Sequence, residues 1–326
     1  MARALLEPMP DRMRFRSYRV VTFGTQPNNR KPNNTMKIQT NKASKGFTLI
    51  ELLVVIAIIG VLVAMTMPAL MASREAGRRN LCTANMAQIM LAMQSYESAF
   101  ELWPSGVVNP DGPIRNQAQG LHQGWILHLL PYLDEQVAYE KIDFKESVYA
   151  PANEAVRAYW PRVLICPSES NDVPGTSNYA GCHNDVEAPI NTDNHGALFL
   201  NSQIRRDDVT DGLAHTLFVS EKRVFDGDLG WMSGTRATLR NTGLPLNNRR
   251  DEVALQPAEP DCQKQFGTEA ELLYVGGFAS AHPSGANVGF GDASVEFISE
   301  DIDLKLWQQL GNRADGNLST LPTPAP

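Results

Sequence analysis

Several signatures of chemistry are missing from this sequence. It has no C-x-x-C pair, no H-E-x-x-H and no G-x-S-x-G. That removes the local support for a dithiol redox enzyme, a zincin or an α/β-hydrolase. The six histidines are scattered without paired zinc-ligand spacing, and no internal repeat marks a solenoid. Basic charge is scarce beyond the start. Residues 1–46 hold ten Lys/Arg against two Asp/Glu, so the net charge of −7 leaves −15 for residues 47–326. An acidic body lacks the basic footprint that nucleic-acid binding needs.

What the sequence does have is a long apolar run. From Phe47 to Ala72 the only charge is Glu51, and Leu52–Ala72 carry none. As a helix, those 21 residues rise roughly 30 Å, the thickness of a bilayer's hydrocarbon core. A carboxylate inside such a run is costly and points to function. A cut after Gly46 would give Phe47 a new α-amino group, and Glu51 four residues on is placed to neutralise it, in its own chain or in a neighbour's. Thr48 adds a hydroxyl close by, and Pro68 falls late in the run, where it is expected to bend the helix. A secretory signal peptide cut near Ala72 is the competing reading, and it leaves Glu51 unexplained.

The segment GFTLIELLVVIAIIGVLVAMTMPA resembles the prepilin cleavage/methylation motif of type IV pilins and type II secretion pseudopilins. The resemblance implies a prepilin peptidase that cuts between Gly46 and Phe47 and N-methylates Phe47. It implies assembly guided by Glu51 and a kink at Pro68. The expected partners are that peptidase, other pilin or pseudopilin subunits and the inner membrane, with no nucleic acid. The basic leader, 1–46, places the N-terminus in the cytoplasm and the head outside, despite Arg74, Arg78 and Arg79 beyond the span. Met36 opens an eleven-residue basic leader, MKIQTNKASKG, and is read as the translation start.

A second resemblance covers most of the remaining chain. SREAGRRNLCTANMAQIMLAMQSYESAFELWP is similar to the segment after the pilin motif in a large bacterial family of unknown function, named for a C-terminal His-x9-Asp-Gly signature. Further matches are Leu129–Leu133, Ile165–Ser168, Asn178-Tyr179, Asp211-Gly212 and Ser220-Glu221. The signature runs from His282 to Asp292, but Ala293 stands where the family usually has Gly. This resemblance implies a fold and a location, and no biochemical activity.

The expected architecture is α+β and pilin-like. Residues 47–72 form the membrane and assembly helix, 73–312 the head and 313–326 a disordered tail. Met86, Ile89, Met90, Met93, Tyr96 and Phe100 recur at helical spacing and are read as a core stripe packed on an antiparallel sheet. Trp103-Pro104-Ser105-Gly106 stops the helix. Trp125–Leu133 is a short buried helix or strand. Candidate strands are Val163–Cys166, Gly196–Leu200, His215–Glu221, Leu272–Phe278, Ala286–Phe290 and Ser294–Ile298. Residues 225–268 are read as a surface excursion, and Ser299 as the cap of a final helix. The last hairpin turns either at Gly291-Asp292, with Val288 facing Val295, or at Asp292-Ala293, with Phe290 facing Val295. Both registers put Val288, Phe290, Val295 and Phe297 on one face.

Candidate chemistry is sparse. His282, Ser284 and Asp292 lie close in sequence, but no nucleophile elbow accompanies them, and no catalytic residue is assigned. His282 and Asp292 are read as holding loop backbone. Asp207, Asp208 and Asp211 offer oxygens for Ca²⁺, which some pseudopilins bind, although the spacing is no recognised calcium loop and turn formation competes. Cysteines stand at 82, 166, 182 and 262. A Cys166–Cys182 bridge would close a short loop, with free buried thiols as the alternative. Two functional classes follow: a filament subunit, or a membrane-tethered binding protein that uses the motif only for sorting.

Overall fold

The computed structural model describes residues 47–169, 173–225, 227–248 and 268–317. The leader with Met36 and Gly46, Cys262 and residues 318–326 lie outside them. Contacts divide the chain into Met1–Ile58 and Ile59–Pro326.

The first helix, α1, runs without a break from Leu49 to Phe100 and carries Pro68 inside it. A capping box starts it. The Thr48 hydroxyl accepts from Glu51 N at 3.3 Å, and the Glu51 carboxylate accepts from Thr48 N at 2.9 Å. At the other end Glu101 enters the left-handed region at φ 58, and the chain leaves the helical path. Every residue from Phe47 to Arg74 is exposed. Further along, Cys82, Met86, Ile89, Met90, Ala92 and Met93 are buried. The predicted stripe therefore holds over Met86–Met93. It fades at half-buried Tyr96 and ends before Phe100, which is 54% exposed.

The head is a five-stranded sheet in the order β5-β3-β4-β6-β7: β3 Tyr179–Asn184, β4 Leu217–Glu221, β5 Leu239–Asn241, β6 Gly285–Phe290 and β7 Val295–Ser299. A separate pair, β1 Val107–Val108 and β2 Gln123–Gly124, lies alongside short helices. The sheet is mixed rather than purely antiparallel, because β5 pairs with β3 in parallel. β3, β4, β5 and β6 are buried along their whole length, as strands covered on both faces are.

One face meets α1. A Cβ on Gly289 would stand 2.6 Å from Met90 Cγ and 3.2 Å from Met86 Sδ, so the bare Cα lets the helix lie close. Thr83 Oγ1 donates to Asn287 Oδ1 at 2.9 Å, and the Arg79 guanidinium sits 3.2 Å from the centre of the Phe297 ring. The opposite face carries Ala286, Val288, Phe290 and Ile298, packed with Trp307 and Leu310 of the C-terminal helix Leu304–Gly311.

Several expectations are corrected. Val163–Cys166 holds a 3-10 turn, Arg162–Leu164, and Leu272–Phe278 begins in a helix, Glu269–Leu273. The described part of the supposed surface excursion contributes β5 and buried Trp231 and Met232. Asp303, not Ser299, caps the final helix, accepting from Lys305 N and Leu306 N. The tail is tied down at its start, where Arg313 donates to the Asn194 and Gly196 carbonyls.

The hairpin takes neither expected register. Gly289 pairs with Val295 and Val288 with Glu296, around a three-residue loop in which Ala293 adopts φ 70. Because side chains alternate across a strand, this puts Val295 and Phe297 on the α1 face and Val288 and Phe290 on the other.

Candidate functional site

Four elements distant in sequence bring their polar side chains together behind α1. Cys82 comes from α1, Cys166 from the loop after the 3-10 turn, Glu221 from the end of β4 and His282 from the loop before β6. All four are buried. Their ligand atoms lie within 4.8 Å of one another. Cys82 Sγ is 2.7 Å from Cys166 Sγ, Cys166 Sγ is 3.6 Å from His282 Nε2, and Nε2 is 3.4 Å from Glu221 Oε1.

A second layer orients these groups. His282 Nδ1 donates to Glu75 Oε1 at 2.6 Å, which turns Nε2 towards the sulfurs and Glu221. Glu75 is itself fixed by Ser168 Oγ at 2.9 Å and by Arg78 Nε at 2.9 Å. Glu221 Oε2 accepts from Ser280 Oγ at 2.7 Å and Asn287 N at 2.9 Å, while Oε1 accepts from Asn287 Nδ2 at 2.8 Å. The Tyr179 hydroxyl donates to the Cys82 carbonyl.

Burial pulls His282 down, but Cys166, Glu221 and Glu75 outweigh it and raise the imidazole to about 10. The Cys82 thiol, against the opposition of burial and with help from His282, lowers Cys166 to about 6. Cys82 is pushed up, first by its neighbour Cys166 and then by burial. Burial also raises Glu75, yet the bonds from His282, Arg78 and Ser168 hold it below the ordinary carboxylate range.

The other residues singled out in sequence lie elsewhere. His282 does not hold loop backbone through its ring, because both ring nitrogens face side chains. Asp292 Oδ1 accepts from Ser294 N and Oγ inside the hairpin loop. Ser284 sits at φ 69. Asp208 accepts from Arg205 N, and Asp211 accepts from Asp315 N and Gly316 N, so their oxygens are spent on separate stretches of backbone. Asp207 lies in the 3-10 turn Arg206–Asp208 and is exposed.

The Cys166–Cys182 bridge is corrected. Cys166 faces Cys82, whereas Cys182 points to the other side of the sheet, with its thiol against the Asn184 and Gly311 carbonyls. Glu75, Cys82 and Glu221 escaped the sequence reading as a group because no local spacing links them to His282. The available signal was that Cys82, Cys166, Glu221 and His282 all fall in or beside the segments that carry the family resemblance.

Comparison with known proteins agrees with both ends of the chain. Residues 41–67 match the prokaryotic N-terminal methylation motif. No curated protein and no solved structure matches the chain. Residues 71–305 match the family model described as protein of unknown function (DUF1559), and with that span covered the chain belongs to this family, as a pilin-like member with an N-terminal methylation motif.

Proposed function

We propose that this chain is a pilin-like or pseudopilin-like filament subunit. Prepilin peptidase cuts between Gly46 and Phe47 and methylates Phe47. The mature protein waits in the inner membrane with its head outside, then assembles through α1. The observation that carries this reading is the unbroken exposure of Phe47–Arg74, which begins inside the methylation motif and runs past its end. A helix apolar on every side belongs in lipid or against other helices. It is long and apolar enough to cross a bilayer, and none of the apolar stretch is buried. Glu51 is held over the first turn by Thr48, one residue from the amine that cleavage would create at Phe47.

The test is Glu51→Ala. The variant is expected to insert and be cleaved normally, yet to disappear from sheared filaments and to lose helix-to-helix crosslinks between copies. Cryo-imaging and crosslinking read both. Normal incorporation of the variant overturns the charge-pairing account. A wild-type protein that is cleaved but never crosslinks to a second copy supports the tethered binding protein instead.

A further inference from the structure

We propose that Cys82 Sγ, Cys166 Sγ, His282 Nε2 and Glu221 Oε1 form a closed, four-coordinate Zn²⁺ site that fastens α1 to the sheet. The proposal stands on four features and does not depend on filament assembly.

The donor set is the first. Two sulfurs and an imidazole suit Zn²⁺, whereas Ca²⁺ and Mg²⁺ take oxygen. Geometry is the second. Zn–S bonds of ~2.3 Å and Zn–N or Zn–O bonds of ~2.0–2.2 Å imply tetrahedral edges of roughly 3.3–3.8 Å. The Cys166–His282 edge is 3.6 Å and the His282–Glu221 edge 3.4 Å. The sulfur–sulfur edge, at 2.7 Å, has to open by about 1 Å.

The third feature is the outer layer. A metal-bound imidazole characteristically donates its other N–H to a carboxylate, and Glu75 receives it here at 2.6 Å. Asn287 and Ser280 fix the Glu221 carboxylate in the same way. The fourth is burial. All four donors are shielded, as in structural sites that keep no open position. A disulfide between Cys82 and Cys166 is the rival use of the sulfurs. It would leave His282 Nε2 and Glu221 Oε1 aimed at a group that carries no charge.

Binding involves no redox change. Zn²⁺ enters, two Zn–S bonds, one Zn–N and one Zn–O bond form, and whatever protons the two sulfurs and Nε2 still hold leave to water.

The test uses the full mature chain, purified in detergent with reductant and no chelator. One zinc per chain is expected by elemental mass spectrometry. Replacement by Co²⁺ alone should give the visible bands of a tetrahedral thiolate complex. Cys82→Ser and His282→Gln should abolish those bands, and Glu75→Gln should weaken zinc binding ~10–100-fold. Cys182→Ser, on the other face of the sheet, should change neither. If the site variants fail to fold, the wild-type stoichiometry and cobalt spectrum decide alone. A native Cys82–Cys166 disulfide in non-reducing peptide mapping, or reduced protein without the cobalt bands, overturns the proposal.

Discussion

Residues 49–72 and residues 82–93 of α1 share Met, Ile, Leu and Ala as their apolar side chains, and they meet opposite environments. In the first stretch every side chain is exposed. In the second, six are buried in the head. The difference lies in the polar residues between the apolar ones. The first stretch has one charge and no polar face, so nothing orients it. The second is flanked by Glu75, Arg78, Arg79, Gln94 and Glu97, each bound to the head or to a neighbour bound to it. Apolar content makes a helix sticky, and polar spacing decides which side sticks to what.

The comparison breaks most clearly through deletion of side-chain volume. Met90→Ala is expected to cost roughly 2–5 kcal/mol of head stability, read by denaturant unfolding in detergent. Leu62→Ala, in the exposed stretch, should leave it within ~0.5 kcal/mol. Equal losses from the two would show that the stretches are not distinct.

A pH titration sharpens the same contrast, because the buried titrating groups belong to the head. Burial, opposed by its bond to Asn194, lowers His183 to about 4. The unfolded chain takes up that proton near 6.5, so the folded state's advantage is full above 6.5. It is lost as pH falls from there to about 4, and amounts to about 3 kcal/mol when complete. His122, lowered by burial to about 4, acts in the same sense. Unfolding should report this acid loss, and His183→Asn should shrink it. A stability that is flat between pH 7 and 4 contradicts it.

The smallest expected effect is a gain. Ala293 sits at φ 70, a conformation that glycine adopts without strain. Ala293→Gly should stabilise the head by about 0.5–1 kcal/mol, measured as a shift in unfolding midpoint. A loss of stability would mean that the loop is not strained at this position.

Much of this architecture was legible in the sequence, for reasons that differ from element to element. Leu49–Phe100 announced itself by composition and then by helical spacing at Met86, Ile89, Met90 and Met93. β4, β6 and β7 were visible as short apolar runs between turns. β3 was not, because YAGCHN has three small residues followed by two polar ones, with no alternation, and owes its place to partners on both sides. β5 was hidden in a stretch rich in Gly, Asn and Arg, where buried Arg240 reads as a surface residue. The hairpin failed by a single position, because the loop holds three residues where two were assumed. His282 was visible through its signature. The cluster around it was not, since Cys82, Cys166 and Glu221 are separated by 84 and 55 residues and only tertiary packing joins them.

Gly289 carries one further lesson. Its missing methyl sets the stand-off between helix and strand, and that gap governs more than local fit. A methyl there would press on the Met90 and Met86 side chains, in the same seam where Thr83 meets Asn287, Arg79 meets Phe297 and Cys82 meets Cys166. A hydrogen in place of a side chain thus leaves room for two methionines at the point where helix and strand meet.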